Sequence, residues 1–421
     1  MIRLLARSLA LVALTSALIL TTGPNPRTEA ARPRVALRAA AAHGEQLSTA
    51  DPAGVTKALA EYLTAHHQTA EDYIVSRFKT HDVVFLGEAH ITRERELFLQ
   101  RLIPLLYKAG VRTLGYEMGC SEDQAAIDTL VNAPTWDEAA AFNILAHWDF
   151  SWPFQEYADV YRAAWELNHS LPKGAPKFRI LGIDIRPDFR RVPADADPMI
   201  AFRPLLNPKV AEGLRGIIVG GPDRDLTRNT RMAEILRREV LSKGQKALMF
   251  NGSGHSTTKY LRPNRAGVGE RRMVVGYMIH QEIGDRAMGV LLGGPGALMG
   301  GASASGKDPI LNAAVASLPP GADNVGFDTK GSPIGSLTVT VSKVDTLKME
   351  DFWDGLVFVS LKTPWDASTA NFTYLTDERV KTAKAEGNIP DRPVITVESL
   401  KKDVMDSMTR VVEQIKKGGA Y

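Results

Sequence analysis

From residue 83 onward, short unbroken apolar runs alternate with longer amphipathic stretches. The runs are 83–87 (VVFLG), 113–116 (TLGY), 179–183 (RILGI), 247–250 (ALMF), 288–292 (MGVLL) and 356–360 (LVFVS). They do not alternate apolar with polar, which marks strands buried on both faces of a parallel sheet. Between them, apolar residues three or four apart predict helices over 93–108, 122–131, 136–146, 154–168, 230–241 and 270–283. Pro104 is expected to bend or split the first. Helices over 55–65 and 70–78 precede the alternation, and Thr69 is placed to cap the second. The segment 336–342 (SLTVTVS) does alternate and reads as an added edge strand. Segment 149–154 reads as a loop, 188–208 as a Pro- and Asp-rich excursion outside the sheet, and 293–333 as a long Gly/Ser/Pro-rich insertion. A helix over 397–417 closes the chain, with Leu400, Val404, Met408, Val411 and Ile415 in one stripe and Gly418 behind it. The implied fold class is α/β: a single domain with a mainly parallel central sheet flanked by helices, a long Gly/Pro-rich insertion and a C-terminal helix.

The first residues have a different pattern. Arg3 and Arg7 precede an apolar run over 8–22, and Thr28-Glu29-Ala30 offers a small-residue cleavage site. Residues 1–30 therefore read as a signal peptide, 31–52 as a linker and 53–421 as the α/β domain. The run is shorter than the ~20 apolar residues of a spanning helix, so an uncleaved anchor is the lesser alternative. The expected location is periplasmic or secreted, with membrane contact only if the segment is retained. Hydrophobic residues make up 44% of the 421 and charged residues 24%, which excludes a disordered or collagen-like chain. The formal net charge is +3, and Arg3, Arg7 and Arg27 against Glu29 account for most of it. The remainder is too nearly neutral for a nucleic-acid partner. The single cysteine, Cys120, rules out an intramolecular disulfide and a Cys-based zinc site.

The residues immediately after each apolar run carry the chemistry. The first run leads into Glu88-Ala89-His90, the second into Glu117, the third into Asp184 and Arg186, and the fourth into Asn251-Gly252-Ser253-Gly254-His255. In open α/β sheets, ligands bind beyond the carboxyl ends of the strands. If the runs are neighbouring parallel strands, Glu88, His90, Glu117, Asp184 and His255 share one crevice. Carboxylates and imidazoles gathered there shift each other's pKa values, which suits acid–base or metal work. Each residue alone has a structural reading: Glu88 as a helix cap, Glu117 as an ion-pair partner, Asp184 bridged to Arg186, His255 as packing. Four strand ends carrying ionisable groups together favour function over those readings. His147, Trp148 and Trp152 are candidate pocket walls, and Arg228 and Arg231 sit where a helix opens, against its dipole. The sequence 301–308 (GASASGKD) lacks the Ser or Thr of a phosphate loop, and neither His-Glu-x-x-His nor a G-x-S-x-G elbow occurs.

Together these motifs resemble the erythromycin esterase and ChaN-like superfamily, which includes the Tiki and TraB-type proteins. VVFLGEAH at 83–90 is similar to its Gly-Glu-x-His opening, and Tyr116-Glu117-Met118 to its second-strand glutamate. RNTRMA at 228–233 is similar to its Arg-x-x-x-Met helix, NGSGH at 251–255 to its Gly-x-x-His segment, and DGLVF at 354–358 to its last strand. The resemblance spans about 82–361 and implies that Glu88, His90, Glu117 and His255 are the catalytic positions. Asp184, Arg186, Arg228 and Trp152 are the expected substrate-binding residues. The activity expected is that of an exported hydrolase of ester, lactone or related acyl bonds, in which the Glu/His cluster activates water. The alternatives are a haem- or iron-binding envelope protein, with Tyr157 or Tyr116 as ligand, and a metal-dependent peptidase of the Tiki type. The partner is correspondingly a small-molecule substrate or haem, and the cofactor none, a divalent metal, or haem.

Overall fold

Ten strands can be followed in the computed structural model: β1 Leu47–Ser48, β2 Val83–Glu88, β3 Thr113–Cys120, β4 Arg179–Asp184, β5 Ala247–Gly252, β6 Ala287–Gly293, β7 Val325–Asp328, β8 Thr338–Thr340, β9 Thr346–Lys348 and β10 Gly355–Phe358. The structure describes residues 47–48, 50–191, 224–261, 271–293, 309–319, 322–340, 345–361 and 363–418. The signal-peptide segment, most of the linker, most of 188–208 and the stretch 301–308 lie outside the described residues. The described helices are α1 Pro52–Ala65, α2 Ala70–Arg77, α3 Arg93–Lys108, α4 Gln124–Leu130, α5 Glu138–Trp148, α6 Gln155–Ser170, α7 Arg224–Glu239, α8 Ser253–Ser256, α9 Val275–Ile283, α10 Pro309–Ala316, α11 Met349–Phe352, α12 Asp377–Glu386 and α13 Val397–Gly418.

Seven strands form the main sheet in the order β4-β3-β5-β2-β6-β10-β7. All neighbours are parallel except β7, which runs antiparallel to β10. Six consecutive strands therefore end at one edge. The apolar runs work as expected: alternate residues of the same strand enter different cores. Val83, Phe85, Leu181 and Met249 pack against Met232 and Leu236 of α7 and Val275 and Ile279 of α9. Val84, Leu86, Leu114, Leu248 and Phe250 face the α3–α6 side with Phe98, Leu102 and Tyr157. Each wholly buried side chain of this size contributes roughly 1.5–3 kcal/mol. A third cluster joins β7 and β10 to Leu59 and Leu63 of α1.

Several expectations need correction. The helix α3 runs unbroken through Pro104, because Leu99, Leu102, Ile103 and Leu106 are wholly buried and hold both halves against the core. The insertion 293–333 is not all loop. It contains α10 and β7, whose four residues are too short to show a period. The alternating 336–342 segment contributes β8 to a separate three-stranded sheet, order β1-β8-β9, rather than to the main sheet. Part of the expected linker thus pairs as β1. The helix at 230–241 begins earlier, at Arg224, so Arg228 lies within it. Thr69 does cap α2, accepting from Asp72 N–H at 3.1 Å.

Candidate functional site

Strands β4, β3, β5 and β2 are adjacent and parallel, so their last residues meet. Strand β3 leaves regular pairing at this edge. Tyr116 opposes Gly182, while Cys120 opposes Asp184, so extra β3 residues bulge outward and Glu117 is the first of them. A bulge re-aims a side chain. The close approach requires glycine at 182, where an added Cβ would lie 2.4 Å from the Cys120 carbonyl oxygen.

Glu117, Asp184 and Arg228 form a buried ionic core. The Arg228 guanidinium donates to Asp184 Oδ1 at 2.8 Å and to Glu117 Oε1 at 2.5 Å, and its Nη2 also meets Asp184 Oδ2. Trp148 Nε1 donates to Asp184 Oδ2 at 2.7 Å. Glu117 Oε2 accepts the Gly252 N–H at 2.6 Å. Although burial opposes its charge, the neighbouring His255, Arg228 and His90 side chains hold the Glu117 carboxyl down at about 2. Two carboxylates sharing one guanidinium are tolerable in the interior only because each is also hydrogen-bonded.

The histidine at 255 is fixed by α7. Asn229 Oδ1 accepts the Val275 backbone N–H at 2.8 Å and lies 2.9 Å from His255 Nδ1. An oxygen that accepts from an amide can only accept from the ring, so Nδ1 carries the proton. Nε2 then faces Glu117 Oε1 at 3.6 Å.

The other imidazole has a different setting. His90 Nδ1 hydrogen-bonds Glu88 Oε1. Burial lowers its pKa, but the charge and hydrogen bond of Glu88, helped by Glu117, outweigh that and raise it to about 9. The ring stays 34% exposed, edge-on to Trp152 at 5.6 Å and to Trp148 at 6.2 Å. Glycine at 252 makes room: a Cβ there would come 3.0 Å from His90 Nε2 and 3.5 Å from Glu117 Oε2. The next residue, Ile91, is a β-branched side chain at φ +66°. Such a backbone costs on the order of 1–3 kcal/mol and persists only where neighbours enforce it. The Tyr157 hydroxyl accepts the Ile91 N–H at 2.7 Å, and Ser368 N–H donates to the Ile91 carbonyl at 3.0 Å.

The structure thus brings Glu88, His90, Glu117, Asp184, Arg228 and His255 together, with Trp152 as a wall. It does not bring Arg186 to this group. Asp184 pairs with Arg228 instead, and Arg186 turns to Asn388 at 3.0 Å, Glu386 at 3.2 Å and Asp123 at 3.7 Å. His147 joins that second cluster, its Nδ1 2.8 Å from Asp123 Oδ1. Arg231 pairs with Glu234 at 3.8 Å, on its own helix. Cys120 is buried, and desolvation first, then Asp184, raises its thiol pKa well above normal, so it is no nucleophile. Sequence reasoning missed Asn229, Tyr157 as the Ile91 anchor, and Gly252. Asn229 and Gly252 carried a signal, since they lie inside the RNTRMA and NGSGH motifs.

The donors do not suit a metal ion. Both Glu117 oxygens are taken, one by a guanidinium, and among the described residues no group of three or more His, Cys, Asp or Glu side chains is arranged to hold one. Nor do the expected tyrosines suit haem. Tyr116 and Tyr157 are wholly buried, with hydroxyls engaged by Glu96 and Ile91.

Residues 74–175 match the family model described as haem-binding uptake, Tiki superfamily, ChaN. No curated protein matches the chain. Among solved structures, a Bacillus cereus protein shares 13% identity over 75% of this chain and 99% of its own, with a TM-score of 0.50. A succinoglycan biosynthesis protein shares 9% identity over 74% and 98%, with a TM-score of 0.51. An erythromycin esterase in its open conformation shares 12% identity over 68% and 92%, with a TM-score of 0.45. The first two share the α/β fold described above. With the family match across β2, β3 and the helices between and after them, the chain is similar to the haem-binding uptake, Tiki and ChaN superfamily, as its motifs imply.

Proposed function

We propose that the chain is a hydrolase of ester, lactone or related acyl bonds, with His255 as general base and His90 as general acid. The observation that carries this reading is the different partnering of two imidazoles around one carboxylate. His90 is kept protonated by Glu88, and His255 offers Nε2 as an acceptor beside Glu117. Imidazoles held by partners of different charge suit the acid and the base of one step.

Water attacks the acyl carbon as its proton passes to His255 Nε2, and the anionic Glu117 stabilises the resulting imidazolium. The Nε2–H of His90 stabilises the developing oxyanion and then protonates the departing alkoxide. The proton on His255 returns through solvent to His90, so an ester and water become an acid and an alcohol. Arg228 is too fully committed to Asp184 and Glu117 to face an oxyanion; its role is to hold both carboxylates in place and keep Glu117 charged. Screening purified protein against short esters and lactones tests the reading. Hydrolysis lost on His255→Ala, with the far-ultraviolet spectrum unchanged, supports it. Full activity in both His255→Ala and His90→Ala removes it.

The same proposal places the protein beyond the inner membrane, on the strength of the basic start and apolar run of residues 1–30. Mature protein from the periplasm or medium beginning near residue 31 supports export, whereas an intact start in the membrane fraction indicates an anchor. Haem binding is the second reading, supported by the family description over 74–175. A haem titration without a Soret band removes it.

A further inference from the structure

Behind the Glu88–His90 pair lies a second acid that takes no part in the steps of hydrolysis. Glu96, in the first turn of α3, is wholly buried. We propose that Glu96 is a neutral carboxylic acid and a positioning residue for that pair, its proton serving the inner oxygen of Glu88 so that Glu88 keeps its charge for His90. Its role in turnover rests on the hydrolase reading; its protonation does not.

Three observations carry the proposal. The first is a matched set of unused oxygens. Glu88 spends Oε1 on His90 Nδ1, while its Oε2 is buried with no hydrogen-bond partner among the described residues. Glu96 Oε1 is buried without a partner too, and its Oε2 accepts from the Tyr116 hydroxyl at 3.3 Å. A buried carboxylate oxygen needs a donor. A protonated Glu96 carries one, and Glu88 Oε2 is the acceptor that lacks one.

The second is the neighbourhood the two acids share. Burial raises the Glu96 pKa well above the usual range, and Glu88 is the first charge to add to this, with Glu156 behind it. The Tyr157 hydroxyl accepts the Ile91 N–H at 2.7 Å. Burial, then Glu88, then Glu96 raise its pKa. Neighbouring carboxylates do not both ionise unless cations serve both. His90 serves Glu88, and itself faces Glu88, Glu117 and Arg228.

The third is that no cation or amide pairs with Glu96. Arg95 spends its hydrogen bonds on the carbonyls of Ala89 at 2.7 Å and Leu292 at 3.2 Å and on Thr92 Oγ1 at 2.9 Å. The anion favoured at a helix start is Glu94, which accepts from Arg93 at 3.1 Å and from the Asp366 N–H at 3.2 Å. Glu96 meets only the phenols of Tyr116 and Tyr157.

An infrared difference spectrum between full-length protein and its Glu96→Gln variant at pH 7 reads the protonation without turnover. The expected result is the carbonyl band of a protonated carboxylic acid, present in the native protein and lost in the variant. Loss of carboxylate bands in its place overturns the proposal. The His90 ring resonances read the positioning: they should move in Glu96→Leu and return in Glu96→Gln, which keeps a neutral donor. On an ester that is cleaved, Glu96→Leu should lower kcat about tenfold at constant KM, and Glu96→Gln should restore most of it with the alkaline limb still at about 9. Full kcat and unmoved His90 resonances in Glu96→Leu, or an alkaline limb displaced toward ~6.5 in Glu96→Gln, overturn it. The acid band and the His90 response without hydrolysis of any ester leave neutral Glu96 standing and remove the hydrolase reading.

Discussion

The two histidines at the mouth of the sheet follow adjacent strands and face one carboxylate, yet they are held by partners of different charge. His90 lies just past β2, leans on Glu88 and keeps 34% of its side chain exposed between two indoles. His255 lies just past β5, is 13% exposed, and gives its Nδ1 proton to an asparagine that cannot accept charge. A carboxylate partner makes an imidazole a better acid holder, while an amide partner only fixes its tautomer. One fold edge thus holds two imidazoles in different settings, with no difference in residue type between them.

The sharpest way to break that comparison is to remove the acceptor. His255→Ala should lower kcat by about 10²–10⁴-fold, the usual worth of a positioned base, as read by steady-state hydrolysis. His255→Gln should fall equally, because it restores the shape and not the basicity. Next in size is the ionic core under both rings. Arg228→Met leaves Glu117 and Asp184 buried without their cation and should cost about 3–5 kcal/mol in urea unfolding. The Glu117 carboxyl should also then titrate upward.

Replacing Glu88 by Gln tests the donor side. The Glu88 charge is what lifts His90, so the alkaline limb of kcat/KM, expected at about 9, should move toward ~6.5. Stability carries the same signature. A group raised in the folded state stabilises fully below its unfolded pKa, so the His90 contribution should fade between ~6.5 and about 9 as pH rises. Glu117 is depressed, so its contribution should be present above ~4.3 and fade as pH falls toward about 2. Denaturant midpoints across pH read both. The smallest effect belongs to the anchor of the strained turn. Tyr157→Phe loses the hydrogen bond to Ile91 N–H and should cost about 1 kcal/mol in stability. It should also lower kcat several-fold at constant KM and move the His90 ring resonances, which a purely structural loss elsewhere would not do.

The pattern of residues made the parallel sheet legible because strands buried on both faces need continuous apolar runs. It also located the site, since the residues just past such a run must stand at the common edge. Strand order was not legible: that β5 inserts between β3 and β2 depends on packing across the 126 residues between β3 and β5, and no local pattern encodes it. For the same reason Asp184 seemed matched to the neighbouring Arg186, whereas the bulge in β3 and the early start of α7 bring Arg228 to it. The strain at Ile91 was invisible too, because isoleucine disfavours positive φ and only the surrounding Tyr157 and Ser368 contacts impose it.

The most direct measurement is a ¹⁵N–¹H long-range correlation spectrum of the imidazoles in full-length protein, titrated from neutral pH upward with His90→Gln and His255→Gln variants for assignment. The account predicts that at pH 7 His90 carries protons on both ring nitrogens and loses one only near pH 9, while His255 carries a proton on Nδ1, donated to Asn229 Oδ1. His90 titrating in the ordinary histidine range, or His255 with a proton on Nε2 and none on Nδ1, would contradict it.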